Sequence, residues 1–395
     1  MHNFIQYTPT KILFGKGVEQ EVGKEVKKCG GNKVLIVYGG GSVVRSGLLK
    51  TVEEKLTEEG ITYEEWGGAK PNPLLSFAEE GIRRGIAFHA DFILAIGGGS
   101  AIDTAKGIAH GMANPDAKLW DIWTGKVPLT HSTNVGVVLT ISAAGSETSD
   151  SAVLTNESIG KKAGINTEFN RPKFAIMNPE FTYSVSKYQL TCGIVDIMMH
   201  TLERYFTQVQ GNQVTDEIAE GLLRTVIANG TKAYQNQEDY DCMSEIMWCG
   251  SLSHNGLTGL GRKAPFPLHK MGHELSAKFD VAHGASLAAL WGAWAMYSYP
   301  EDIERFCRFG EKVWGITGEN KECKAVTAIE KTVDYFRSLH MPVCLGDLEI
   351  GVQPEGVLQE MAVKALGGKE GTMTQFKEYH FDDIYGIYKK ANHCS

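Results

Sequence analysis

Short strand-like segments alternate with helix-like segments through the first half of the sequence, and this alternation limits the possible folds most strongly. The strand-like segments are apolar or rich in β-branched and aromatic residues, and several end at glycine or proline. Because parallel strands are joined by long crossovers, usually helical, this order predicts a parallel sheet covered by helices. The predicted strands lie at 33–38, 61–66, 91–96, 135–142, 152–155 and 173–177.

The pattern changes near residue 182. No proline occurs between Pro179 and Pro265, and apolar residues recur there at helical spacing. The chain has 395 residues, which exceeds the usual size of a single hydrophobic core. We therefore predict two domains, an α/β N-terminal domain over 1–182 and an all-helical C-terminal domain over 183–395.

Charge and cysteine content narrow the class of protein. The net charge of −8 argues against a partner such as nucleic acid or an anionic membrane surface. The eight cysteines form neither a CxxC pair nor a dense framework, which favours reduced thiols in a cytoplasmic protein. No secretory signal or membrane span is expected from the sequence. A small molecule is therefore the expected partner.

A glycine-rich turn follows the strand predicted at 91–96. Gly97, Gly98 and Gly99 are followed by Ser100 and Asp103, which could form a capping box at the start of a helix. Glycines allow a ligand to approach the backbone, and the first N–H groups of a helix favour an anionic pyrophosphate. We predict a dinucleotide phosphate site from these five residues. A plain strand-to-helix turn is the alternative, since the motif is not G-x-G-x-x-G.

A second glycine-rich turn follows the strand at 33–38 and bears on the choice of cofactor. A carboxylate after this strand would bind the ribose 2′-hydroxyl of NAD and repel a 2′-phosphate. The sequence has Gly39, Gly40, Gly41 and Ser42 instead, with Arg45 nearby as a positive charge. We therefore expect NADP(H), with NAD(H) as the alternative.

Two segments of the second half are rich in metal ligands. Asp196 and His200 lie four residues apart on one face of a predicted helix, and His269, His273 and His283 follow in a second segment. Imidazole and carboxylate groups suit Fe(II) or Zn(II). Spacing alone leaves open which histidines bind, although His269 and His273 resemble a chelating pair. The remaining histidines have no comparable partners and are expected to be structural: 2, 89, 110, 131, 254, 340, 380 and 393.

These motifs together resemble the iron-containing (group III) alcohol dehydrogenase family, and most closely its NADP(H)-dependent butanol dehydrogenase branch. The similarity extends over essentially the whole chain. The motifs are TPTKILFGKG (8–17), YGGGS (38–42), KPNP (70–73), GGGSAIDTAK (97–106), TISAAGSE (140–147), PKFAIMNP (172–179), D-x-x-x-H (196–200) and HG (283–284).

The resemblance implies a dehydroquinate-synthase-like fold, with a dinucleotide-binding α/β domain and an all-helical metal domain, and it implies a homodimer. It assigns His273 to a position facing the nicotinamide and substrate, as the candidate catalytic residue. The implied metal ligands are Asp196, His200, His269 and His283. The implied dinucleotide contacts include Gly98, Gly99 and Ser100 at the pyrophosphate, together with Asn72, Thr140, Ser142 and Lys162.

The implied activity is hydride transfer between NADP(H) and a small primary alcohol or aldehyde, such as butanol or butyraldehyde. Trp120, Trp123 and Phe266 are candidates for an apolar substrate pocket. An NAD-dependent, glycerol-type polyol dehydrogenase is one alternative. A dehydroquinate-synthase-like lyase is another, although the sequence near the ligands lacks the cluster of Arg and Lys that a phosphorylated substrate would require. A non-catalytic metal-binding protein would not need both cofactor turns.

Overall fold

The computed structural model describes residues 1–209 and 211–394, and these fall into two units. The first unit is Tyr7–Val185. The second unit combines Met1–Gln6 with the residues from Ser186 onward. The N-terminal residues lie with the second unit because the backbone N–H of His2 donates to the carbonyl of Gly261 at 2.8 Å.

The first unit contains a six-stranded parallel sheet, and the alternating pattern predicts its parallel character. The strand predicted at 152–155 lies outside this sheet, and the sixth strand is β1, which the pattern does not predict. The strand order is β1-β8-β5-β4-β2-β3, and every neighbouring pair is parallel. A separate antiparallel hairpin is formed by β6 and β7. The elements of this unit are β1 (Lys11–Phe14), α1 (Val22–Lys28), β2 (Lys33–Tyr38), α2 (Ser42–Arg45), α3 (Leu48–Glu58), β3 (Thr62–Gly67), α4 (Leu75–Phe88), β4 (Phe92–Gly97), α5 (Gly99–Ala113), α6 (Leu119–Trp123), β5 (Asn134–Leu139), β6 (Ser151–Asn156), β7 (Lys161–Asn166) and β8 (Phe174–Met177), with short 3₁₀ turns at Val18–Glu21, Glu168–Asn170 and Pro179–Thr182.

The two glycine-rich turns leave the same edge of this sheet. Strands β2 and β4 are neighbours, with Tyr38 opposite Ile96, and Gly97 at the end of β4 lies opposite Leu139 of β5. The chain passes from β2 to β3 on one side and then to β4 on the other, which makes a topological switch point between β2 and β4. Ligands of open α/β sheets bind at the carboxyl ends of the strands beside such a point.

The central strand is apolar throughout because it is covered on both faces. All six residues of β4 are buried, as expected for the interior of a parallel sheet. Helix α5, which follows the glycine turn, is also largely buried. The turn between these two elements is therefore held by packing on both sides.

The second unit is mostly helical, which confirms the predicted fold class. It differs from an all-helical domain by a two-stranded antiparallel hairpin in which Tyr379 lies opposite Met373. Within the described residues, no helix has both the length and the apolar character needed to cross a membrane. The elements of this unit are α7 (Lys187–Tyr205), α8 (Gln213–Gln235), α9 (Tyr240–His254), α10 (Pro267–Phe279), α11 (His283–Ser298), α12 (Ile303–Trp314), α13 (Lys321–Ser338), α14 (Glu355–Leu366), β9 (Met373–Thr374), β10 (Glu378–Tyr379) and α15 (Phe381–Ala391), with 3₁₀ turns at Leu257–Gly259, Tyr299–Glu301 and Leu345–Asp347.

Candidate metal and cofactor sites

Four side chains of the second unit converge on one point. Helix α7 carries Asp196 and His200 one turn apart, α10 carries His269, and His283 is the first residue of α11. One ligand atom from each residue lies within 4.8 Å of all the others. From Oδ1 of Asp196, the Nε2 atoms of His200, His269 and His283 are 3.4, 3.8 and 3.6 Å away. These separations leave room for one ion among the four atoms.

The chemistry of this cluster fits a divalent cation. Oδ1 of Asp196 and Nε2 of His269 are buried and have no hydrogen-bond partner among the described residues. A buried polar atom without a partner costs about 1–3 kcal/mol, which coordination of an ion would remove. Three imidazoles and one carboxylate form a donor set suited to Fe(II) or Zn(II).

Burial favours the neutral form of the His200 imidazole, which is the form that can bind a metal. Burial lowers the pKa of His200 well below its usual value, and the neighbouring His254 and His269 lower it further. The ring is therefore neutral at physiological pH and keeps a lone pair on one nitrogen. Neutral imidazole is the form in which histidine binds a metal.

The structure brings His269 into the four-ligand cluster and leaves His273 beside it. The ring of His273 is 5.4 Å from that of His283 and 6.5 Å from that of His269, measured between centroids. His273 is half-buried, one turn further along α10. His269 and His273 are spaced as i and i+4, but of the two it is His269 that belongs to the cluster. Their spacing therefore does not make them a chelating pair.

Two further side chains, which the sequence pattern does not predict, contact the cluster. Nδ1 of His254 lies 2.8 Å from Nδ1 of His200, although the sequence favoured a purely structural role for His254. Glu203 contacts Nδ1 of His269. Glu203 follows His200 by three residues on α7, so a D-x-x-x-H-x-x-E pattern was available as a signal. Nothing in the sequence connects His254 with His200, because the two lie on different helices.

The aromatic candidates for a substrate pocket separate into two groups. Phe266 lies beside the cluster, with its ring 5.1 Å from that of His269 and 5.8 Å from that of His200. Trp123 is buried in the first unit, where its indole N–H donates to the carbonyl of Ala163 at 3.0 Å. Phe266 therefore remains a candidate, whereas Trp123 packs in the first unit.

The glycine turn after β4 has the properties of a phosphate site. Helix α5 begins at Gly99, and no side chain caps its first turn. Gly97 has a φ of 154°, which favours glycine, and a Cβ added to Gly98 would lie 2.0 Å from Cγ2 of Ile141. The backbone N–H groups of this first turn can therefore receive an anion, and no side chain could replace the hydrogen at Gly98 without displacing Ile141.

The predicted capping box between Ser100 and Asp103 is wrong. Because the helix begins at Gly99, Ser100 lies within its first turn and cannot act as the N-cap. Oδ2 of Asp103 instead accepts a hydrogen bond from the backbone N–H of Val153 at 3.0 Å. Burial raises the pKa of Asp103, which Lys106 partly opposes.

Of the other predicted cofactor residues, Thr140 has a backbone contact with this turn, and Lys162 and Asn72 contact each other. The backbone N–H of Thr140 donates to the carbonyl of Gly97 at 3.0 Å. Ser142 is buried, and its hydroxyl has no hydrogen-bond partner among the described residues. Nζ of Lys162 donates to Oδ1 of Asn72 at 2.9 Å, so the hairpin β6–β7 meets the 70–73 loop.

A buried lysine anchors the segment that contains Thr140 and Ser142. Lys106 is fully buried on α5, and its Nζ donates to the carbonyls of Ser146 at 2.8 Å and Ser151 at 2.7 Å. Burial lowers the pKa of Lys106 to about 8. The structure thus explains why the glycine-rich motif ends with lysine, a residue to which the sequence pattern alone assigns no role.

Comparison with known proteins identifies the family. Residues 9–179 match the family described as iron-containing alcohol dehydrogenase, and residues 191–392 match the C-terminal part of the Fe-containing alcohol dehydrogenase family. The chain is 39% identical over 394 residues to NADH-dependent butanol dehydrogenase A of Clostridium acetobutylicum, covering 99% of this chain and 100% of that protein. It is 34% identical over 398 residues to the NADPH-dependent aldehyde reductase YqhD of Escherichia coli, again covering 99% and 100%.

A solved structure shows the same fold. The crystal structure of NADH-dependent butanol dehydrogenase A from Thermotoga maritima has a TM-score of 0.93 and 33% identity, covering 100% of this chain and 99% of that chain. The fold and these matches define an oxidoreductase of the alcohol dehydrogenase class. The chain belongs to the iron-containing alcohol dehydrogenase family, as its motifs predict. Membership implies a nicotinamide cofactor and a divalent metal ion.

Proposed function

We propose that the protein interconverts small aldehydes and primary alcohols of about the size of butyraldehyde and butanol, using NADP(H) and a divalent ion held by Asp196, His200, His269 and His283. The observation that carries this proposal is the convergence of three imidazoles on one buried, unpartnered oxygen of Asp196. When bound, the ion would supply Lewis-acid polarisation of the substrate oxygen, and the nicotinamide would supply or accept the hydride. The relatives named for butanol and aldehyde turnover support this substrate class.

A substrate panel separates this proposal from the polyol alternative. The purified protein would be assayed with NADPH against C2 to C6 aldehydes, and in the other direction with butanol and glycerol. Phe266 beside the cluster adds apolar surface for an alkyl chain, so butanol should be oxidised with the higher kcat/KM. A preference for glycerol would favour the polyol alternative and contradict our proposal.

We propose that His273 touches the substrate or nicotinamide and orients it or relays a proton. Its half-buried ring lies beside His283 and outside the set of four ligands. We expect His273→Ala to lower kcat about 10²-fold, the usual contribution of a general acid or base, while the metal content stays unchanged. The exposed His131 provides the matched control, because His131→Ala should leave both quantities unchanged. Near-normal turnover by His273→Ala would exclude this role.

We propose that NADP(H) is preferred because of the turn after β2. The guanidinium of Arg45 lies against this turn, since a Cβ added to Gly41 would be only 2.7 Å from its Nη1. The sheet also brings Glu65 close, but the Tyr38 hydroxyl donates to that carboxylate at 2.8 Å. Burial and this hydrogen bond raise the pKa of Tyr38 to about 12. The hydroxyl of Tyr38 therefore stays protonated and remains the donor to Glu65. Arg45 is therefore a charged donor beside this turn that could bind a 2′-phosphate.

The cofactor preference can be measured directly. We expect kcat/KM to be higher with NADPH than with NADH. Arg45→Ala should lower the value for NADPH about 10-fold, as for the loss of one charge-assisted hydrogen bond, and leave NADH nearly unaffected. One of the two relatives is named for NADH and the other for NADPH. The cofactor preference therefore has to be measured on this chain itself. A clear advantage for NADH would contradict the proposal.

We also propose a homodimer in a reducing cytoplasm. Strand β1 lies at an edge of the sheet, which suits pairing with another chain. The eight cysteines are all free thiols, as expected in a reducing compartment. Light scattering that gives the mass of one chain would contradict the dimer, and cell fractionation would test the location.

A further inference from the structure

We propose that Glu203 is a positioning residue that fixes His269 as a metal ligand and at the same time completes the first turn of α10. The inference rests on the metal site of the proposed function. The buried carboxylate of Glu203, on α7, would perform two tasks on α10. Both tasks concern the same ligand, so correct formation of α10 and correct orientation of His269 depend on one side chain.

Glu203 accepts hydrogen bonds from the start of α10. The residue is fully buried, with 0% exposure. Its Oε1 accepts the backbone N–H of Leu268 at 2.7 Å, and its Oε2 accepts that of His269 at 3.1 Å. The residue before this helix is Phe266, which has a left-handed φ of 56° and provides no side-chain cap. The first N–H groups of a helix need acceptors, and here they come from a different helix.

The same carboxylate contacts the His269 ring. Oε2 of Glu203 pairs with Nδ1 of His269, on the side of the ring away from Nε2. A carboxylate that accepts the Nδ1 proton selects the tautomer whose Nε2 carries a lone pair. That Nε2 is the atom 3.8 Å from Oδ1 of Asp196. Glu203 therefore controls both the rotation of the ring and which nitrogen faces the ion.

A buried carboxylate that only capped α10 would be an unfavourable choice. Burying a charge is costly unless it is well paired and hydrogen-bonded, and a Ser or Asn at the position of Phe266 could cap the helix without a buried charge. The third contact, to the imidazole, is the one that a short local cap could not provide. This contact is therefore the basis for assigning Glu203 a role at the metal.

Glu203→Gln separates the two tasks. The amide oxygen of glutamine can still accept a helix N–H, but its NH₂ group would face donors at His269. We expect the variant to keep its helical content by circular dichroism. Its affinity for Zn(II), measured by chelator competition, should fall about 10- to 100-fold, the usual effect of losing a carboxylate that orients a metal-binding histidine. The visible spectrum of the Co(II)-substituted protein should also change.

Glu220→Gln is the matched control. Glu220 is also fully buried, and it accepts from the hydroxyl of Tyr205 at 2.8 Å and from Arg308, away from the four ligands. This variant should unfold at a lower temperature but bind Zn(II) and Co(II) like the unaltered protein. An equal loss of ion affinity in both variants would show a general effect of destabilisation and overturn the proposal.

The remaining outcomes distinguish the positioning role from the function itself. Wild-type affinity and an unchanged Co(II) spectrum in Glu203→Gln would overturn the positioning role and leave the metal site intact. Failure of the unaltered protein to bind either ion would overturn the metal site and the proposed function together. If Glu203→Gln does not fold, Glu203→Asp decides the question. Aspartate keeps the charge but is shorter, so the proposal requires weaker ion binding by a folded chain.

Discussion

Replacing Asp196 with asparagine is expected to lower kcat/KM for aldehyde reduction about 10³-fold and to remove the bound ion, because the ion provides several kcal/mol of charge stabilisation. Asp196 is the only carboxylate among the four clustered side chains, and the three imidazole Nε2 atoms surround its Oδ1 at 3.4–3.8 Å. Asparagine keeps the shape and removes the charge. Elemental analysis of the purified variant and steady-state kinetics measure the two effects.

Asp239→Asn makes the same chemical change where no effect on the ion is expected. Asp239 caps α9, where its Oδ1 accepts the backbone N–H of Cys242 at 3.1 Å, and asparagine can cap equally well. This control should keep its ion and its activity. Full activity and a full complement of ion in Asp196→Asn would show that the cluster is not the metal site.

Replacing Gly284 with alanine is expected to weaken ion binding and to lower kcat/KM about 10²-fold, the loss associated with a displacement of about 1 Å at a reacting centre. A Cβ at this position would lie 2.1 Å from the carbonyl oxygen of Cys192, and 2.7 Å from its carbonyl carbon and its Cα. These are backbone atoms of α7, which cannot rotate away. The start of α11 must move instead, and its first residue, His283, moves with it.

Gly386→Ala is the matched control for this variant. Gly386 lies within α15, and a Cβ there would have its nearest neighbour, Cε2 of Tyr297, at 3.9 Å. Alanine should fit, and should stabilise the helix by about 0.5–1 kcal/mol relative to glycine. Unchanged ion content and activity in Gly284→Ala, measured beside this control, would show that the approach of α11 to α7 does not position His283.

The interior of the sheet could be predicted from the sequence because burial is continuous there. Strands β2 and β4 are apolar runs that end at glycine turns, and each has a neighbouring strand on both sides. Strand β1 was missed because it is a short, partly exposed edge strand. Strand β7 was missed because its exposed Lys161 and alternating burial resemble a polar loop. These strands depend on long-range pairing rather than on local composition.

The site was predictable where its residues lie one helical turn apart, as Asp196 and His200 do on α7. Contacts between different helices left no such pattern, so the sequence could not show that His254 reaches His200. Nor did spacing distinguish His269 from His273. At the start of α5, by contrast, a local pattern gave a wrong prediction. The sequence predicts a capping box there, but Asp103 instead accepts a hydrogen bond from the backbone N–H of Val153.

The most direct test of the account follows NADPH absorbance with butyraldehyde before and after removal of divalent ions by a chelator. We expect turnover to disappear with the ion and to return when Fe(II) or Zn(II) is restored in a ratio of about one ion per chain. The Asp196→Asn protein should stay inactive under the same restoration. Undiminished turnover by the ion-free protein would contradict the central claim that the four-ligand cluster holds the ion on which catalysis depends.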